Sequence, residues 1–95
     1  MERAYANTAV GQIHYIFEGD GDPIILLHHA GASAKEFATV IPLLSPKWRV
    51  LAMDLPGHGG SDPFPEAPLI QDYAKTVVAF MDALGIEEAH LVGLH

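Results

Sequence analysis

A chain of 95 residues with a hydrophobic fraction of 49% is sized for one small globular domain, residues 1–95. Its five basic residues are scattered against twelve acidic ones, a formal charge of −7, so the basic footprint that neutralises phosphates in nucleic-acid binding is missing. Without cysteine there are no disulfides, thiolate nucleophiles or cysteine-held metals, and no apolar run approaches a membrane span in length.

The start, Met1-Glu2-Arg3-Ala4-Tyr5, has neither the basic residues nor the apolar stretch of a signal peptide, so a cytoplasmic location is expected. Arg3 to Phe17 reads as two short strands around a turn near Val10-Gly11. Ile13, Tyr15 and Phe17 alternate with His14 and Ile16, the pattern of a strand with one buried face. Glu18 to Asp22 is a turn by composition, and Pro23 opens an apolar run, Ile24 to Leu27, where a missing N–H is tolerated. A helix is expected from Ala34 to Leu44, with Phe37, Val40, Ile41 and Leu44 on one face. Ser33 and Glu36 have capping-box spacing at its start, and Pro42 threatens to kink or end it. Trp48 to Met53 is a second buried strand. Asp62 to Pro68 is an extended connector with three prolines. A helix from Leu69 to Leu84 follows, with Gly85 where a left-handed cap belongs. Ala89 to Val92 is a third apolar run, leading into Gly93-Leu94-His95.

Continuous apolar runs of this kind mark parallel strands buried on both faces. Strand–helix alternation argues for an α/β fold: a β-hairpin followed by parallel strands with right-handed crossover helices. Leu27, Met53 and Val92 would then end on one rim, and such sheets bind ligands in the crevice beyond their carboxyl ends.

The segments at that rim carry a family likeness. Leu26-Leu27-His28-His29-Ala30-Gly31-Ala32-Ser33 resembles the oxyanion-loop segment of the α/β-hydrolase fold family. Asp54-Leu55-Pro56-Gly57-His58-Gly59-Gly60-Ser61-Asp62 is similar to the family's Asp-x-x-Gly-x-Gly-x-Ser turn, and Leu84-Gly85-Ile86 with His90-Leu91-Val92-Gly93 resembles the approach to its nucleophile elbow. The resemblance covers the N-terminal part of that fold. It implies a hydrolase acting on a small-molecule ester, amide, lactone or epoxide, with the Ala30 N–H as an oxyanion donor. It places His95 at the nucleophile position, where serine, aspartate or cysteine usually stands, and His29 where the motif has glycine. The second half of the elbow, the acid and the base histidine lie beyond what the resemblance covers.

His28 is expected to bond nearby backbone and, with His29, to line the substrate-binding pocket; His29 is either an acid–base group or a residue that narrows the site. Asp54 and the glycines after it are expected to shape a tight turn, with backbone N–H groups bonding the carboxylate. A triad of Ser61, His58 and Asp54 is disfavoured, because three groups so close on one turn rarely reach relay geometry. His14 and His90 read as surface or packing histidines. Two rival readings stand beside the hydrolase: a non-catalytic binding relative, and a metal site drawing on His28, His29, His58, Asp54 and His95, although no spacing here is diagnostic of a metal. No organic cofactor is expected, since Gly57-His58-Gly59-Gly60 lacks the dinucleotide glycine spacing. The last strand would stand at a sheet edge, so the isolated chain is expected to be marginally stable or to self-associate through it.

Overall fold

The computed structural model describes residues 1–29, 32–63 and 70–93. β1 (Glu2–Thr8) and β2 (Gly11–Glu18) form the expected hairpin, in which the Thr8 hydroxyl closes the turn by donating to the Gly11 carbonyl and accepting from the Val10 N–H. There follow β3 (Asp22–Leu27), a 3-10 turn (Ala34–Phe37), α1 (Ile41–Leu44), β4 (Trp48–Met53), α2 (Ile70–Leu84) and β5 (His90–Gly93). The five strands make one mixed sheet in the order β1-β2-β4-β3-β5. β2 lies antiparallel to both β1 and β4, while β3 runs parallel to β4 on one side and to β5 on the other.

Both faces of the sheet are covered, which is why its central strands are apolar throughout. On one face Ile13, Tyr15, Ile25, Leu51 and Met53 pack with Val77 and Phe80 of α2 and with Ile86. On the other, Ile24, Leu26, Val50 and Ala52 pack with Ala34, Phe37 and Ile41. Residues Val50 to Met53 are buried whichever face they point to. β5 is the exception: Leu91 and Val92 are 54% and 42% exposed, and the strand pairs on one side only among the described residues.

The first helix differs from the expected single span of Ala34 to Leu44. It is split into the 3-10 turn and the one-turn α1, joined by i to i+3 bonds from Ala38 to Lys35 and from Val40 to Phe37. Pro42 is the physical reason. It has no N–H to continue the ladder and its ring crowds the carbonyl four residues back, so the helix restarts with Pro42 in its first turn, where neither matters. Only half of the capping box forms: Ser33 Oγ accepts from the Lys35 N–H at 3.4 Å, while the Glu36 carboxylate turns elsewhere. α2 ends as expected. Gly85 takes φ +70°, its N–H bonds the Asp82 carbonyl and the Ile86 N–H bonds the Met81 carbonyl, the double bond of a Schellman cap.

Candidate active site at the carboxyl rim

Leu27 pairs with Met53 on one side and with Gly93 on the other, so β3, β4 and β5 finish side by side. The segments leaving β3 and β4 therefore begin at one border; His28 bonds the first to the second, and a dense set of polar contacts ties the second to the hairpin.

Asp54, 3% exposed, is the centre of that set. Its Oδ1 accepts from the Ala34 N–H at 2.7 Å, and its Oδ2 from the Gly60 N–H at 2.9 Å and from His14 Nδ1 at 2.7 Å. Burial alone would raise the Asp54 carboxyl, but the N–H groups of Ala34 and Gly60 and the His14 ring outweigh it and hold it below the usual carboxylate range. Gly59 must be glycine here: its φ is +51°, and a Cβ would collide with the Asp54 carboxylate. Ser61 completes the fastening, its hydroxyl donating to the Asp54 carbonyl at 2.6 Å and accepting from the His14 N–H at 2.9 Å. Asp62 pairs with Gln12 in the same way, through its carboxylate at 3.0 Å and its N–H at 2.9 Å.

His28, 2% exposed, joins the two outgoing segments directly. Its Nε2 accepts from the Leu55 N–H at 2.9 Å, so its Nδ1, 2.8 Å from the His29 carbonyl, is the proton-bearing nitrogen. Both ring nitrogens are thus committed to backbone, and the side chain shapes the loop instead of facing a ligand. His29 is the opposite case. Its side chain is 49% exposed, and the Glu36 carboxylate grips it twice: Oε2 lies 2.7 Å from Nδ1, and Oε1 accepts the His29 N–H at 2.9 Å.

These commitments bear on the rival constellations. His58 Nδ1 lies 3.0 Å from the Pro56 carbonyl and its ring is 5.0 Å from that of His28, while Ser61 is held by backbone; the Ser61–His58–Asp54 relay is not assembled. Among the described residues no three His, Asp or Glu side chains gather as metal ligands. The metal reading is corrected for its described members, because Asp54 is surrounded by N–H donors, His28 is bound to backbone and His29 is engaged by Glu36. His14 is a packing histidine, its ring against that of Tyr5, and it is also a buried partner of Asp54. Strand alternation placed it opposite Ile13 and Tyr15, but only the return of β4 forty residues later supplies its carboxylate. Glu36 was legible as a capping residue, and nothing in its spacing pointed to His29.

A sequence profile described as the alpha/beta hydrolase fold matches residues 22–94, more than half of the chain. The chain belongs to the α/β-hydrolase fold family. It is 38% identical over 88 residues to the 2-hydroxy-6-oxo-6-phenylhexa-2,4-dienoate hydrolase of Comamonas testosteroni, covering 85% of this chain and 30% of that protein. It is 29% identical over 80 residues to the (E)-2-((N-methylformamido)methylene)succinate hydrolase of Acinetobacter baylyi, covering 84% of this chain and 30% of that protein. Among solved structures it superposes on the N-acyl homoserine lactonase AidH complexed with N-butanoyl homoserine, with TM-score 0.88, 30% identity and coverage of 96% of this chain and 35% of that one. Haloalkane dehalogenase DbeA from Bradyrhizobium elkani superposes with TM-score 0.90 and 26% identity, over 97% of this chain and 32% of that one. The chain thus spans about a third of the length of these relatives.

In this α/β-hydrolase-fold chain, Ala30 and His95, assigned by resemblance to the oxyanion donor and the nucleophile position, lie outside the described residues. The described flanks of Ala30 are fastened on both sides, by His28 before it and by the Ala34–Asp54 bond after it. No helix among the described residues is long and apolar enough to cross a membrane.

Proposed function

We propose that residues 1–95 are a single domain segment, the N-terminal, oxyanion-bearing part of a cytoplasmic hydrolase that acts on a small-molecule ester, amide, lactone or epoxide. The observation that carries this reading is the common border of Leu27, Met53 and Gly93, with His28 and Ala34, on either side of the oxyanion-loop segment, bonded there to Leu55 and Asp54. Acyl transfer builds negative charge on a carbonyl oxygen, and fixed backbone N–H donors stabilise it without reorganising; one donor is worth on the order of 3 kcal/mol of barrier. Ala30 would supply such a donor, and its fixed flanks support that role. His95 would stand at the nucleophile position, where imidazole can attack an acyl carbon. The relatives named as hydrolases and the lactonase structure support small carbonyl substrates for this chain as well. No organic cofactor and no nucleic acid enter the reading.

The test is to express the longest translated product that contains this chain and assay it on p-nitrophenyl esters, a butyrolactone, an anilide and a styrene epoxide. Saturable turnover of at least one of the four is expected. A folded product that binds these compounds and turns over none would replace the hydrolase with a non-catalytic binding protein.

A further inference from the structure

We propose that the cavity between the hairpin and the 3-10 turn is a binding site for a small carboxylate with a short apolar tail. The cavity, of about 360 Å³, is lined by Arg3 of β1, His14 and Ile16 of β2, and Ser33, Ala34 and Lys35 around the start of the turn. Strand register brings these together: Arg3 pairs with Ile16, and Ile16 packs against the cluster that holds Ala34. Charge decides the class of ligand. Five basic residues stand against twelve acidic ones in the chain, yet Arg3 and Lys35 meet at this cavity, and neither forms an ion pair among the described residues. A guanidinium offers a carboxylate two parallel N–H donors, and an ammonium adds a third. Ser33 contributes a hydroxyl: its Oγ accepts the Lys35 N–H at 3.4 Å, which leaves its O–H to donate.

The rest of the lining sets the tail. Ile16 and Ala34 are apolar, so a few methylene groups laid against them are removed from water while the charged end stays with Arg3 and Lys35. Asp54 also borders the cavity, but it does not repel an anion as a bare carboxylate would. It is 3% exposed, and its oxygens accept from the Ala34 and Gly60 N–H groups and from His14. His14 has a side chain only 10% exposed; its Nδ1 is on Asp54, and its Nε2 is buried with no hydrogen-bond partner among the described residues. Buried polar atoms are rarely left so, which makes this wall suited to a polar guest. Two other cavities carry acids instead, Asp22 and Glu88 beside the start of β5 and Asp82 and Glu87 at the end of α2, and neither suits an anion. The ligand class follows from these side chains and not from the hydrolase reading above. Because Arg3 and Lys35 are exposed, their pull on the ligand is screened by salt.

The experiment titrates the isotope-labelled 95-residue chain with sodium butyrate at constant ionic strength and follows its amide resonances by NMR, whose dispersion also shows that each variant is folded. Saturable shifts are expected at Ser33, Lys35 and Gly60, with a Kd on the order of 1 mM, while Gly85 and His90, beside the two acid-lined cavities, stay in place. Arg3→Gln and Lys35→Gln are each expected to weaken binding by about two- to fivefold, the scale of one exposed charge pair, and the double variant to remove saturation. Lys75→Gln, which removes the same charge from the exposed side of α2, is expected to leave the Kd unchanged. Acetate, which lacks the tail, is expected to bind about five- to tenfold more weakly than butyrate. Shifts that never saturate, or a loss in Lys75→Gln equal to that in Lys35→Gln, overturn the site. Inorganic phosphate binding more tightly than butyrate overturns the carboxylate, and acetate binding as tightly as butyrate overturns the tail.

Discussion

Asp54 accepts N–H donors from three separate segments: His14 on β2, Ala34 at the start of the 3-10 turn, and Gly60 in its own loop. Removing its charge leaves buried donors facing an amide that cannot satisfy them all, so Asp54→Asn is expected to cost about 3 kcal/mol in urea unfolding. Because its folded pKa lies below the unfolded one, near 3.9, the carboxylate contributes fully above about pH 4, and that contribution is lost as pH falls through the lower folded value. Stability measured from about pH 5 down to pH 2 should therefore fall less steeply in Asp54→Asn than in the wild type, and equal slopes would remove Asp54 from the account. Sequence spacing showed that Asp54 would collect local backbone donors, since turn carboxylates do so within a few residues. It could not show the bond from His14 or the gripping of His29 by Glu36, because both contacts depend on where separate elements come to rest.

The elements divide by how local their causes are. The buried strands were readable because Val50 to Met53 must be apolar on both faces, and α2 because its capping glycine and apolar face agree. The break before α1 was readable only as a threat from Pro42; whether a helix kinks, ends or restarts there is decided by the packing of Phe37 and Ile41 beneath the sheet. Two substitutions test this level. Phe80→Ala empties the centre of the α2 interface, where Tyr15 meets the ring edge-on, and is expected to cost about 3–5 kcal/mol in denaturant melts. Gly85→Ala forces a Cβ into left-handed backbone with open space around it, so its cost should be purely conformational, about 1–2 kcal/mol. A Gly85→Ala loss as large as that of Phe80→Ala would mean that the cap is packed, not merely turned.

At the scale of the whole molecule the sheet has two edges among the described residues, β1 and β5, and β5 is the one that presents exposed apolar side chains from a strand with the composition of a sheet interior. The 95-residue chain carries Leu91 and Val92 exposed on opposite faces of that strand, with free backbone groups between them. Its mass by analytical ultracentrifugation is expected to rise with concentration, and Val92→Lys to return it toward monomer; a constant monomer mass for the unmodified chain would contradict this. The order of the strands and the sharing of a rim by three of them are what turn scattered motifs into one site. Apolar runs in sequence foretold the rim, whereas the fastenings around it emerged only with the fold. The most direct measurement of that assembly is amide hydrogen exchange at Ala34, Leu55 and Gly60, whose N–H groups are bonded to side chains instead of a helix or strand ladder. The account predicts that all three are protected in the wild type and that Asp54→Asn releases Ala34 and Gly60 while Leu55, held by His28, stays protected. Exchange of all three at the rate of an unprotected amide in the wild-type chain would contradict it.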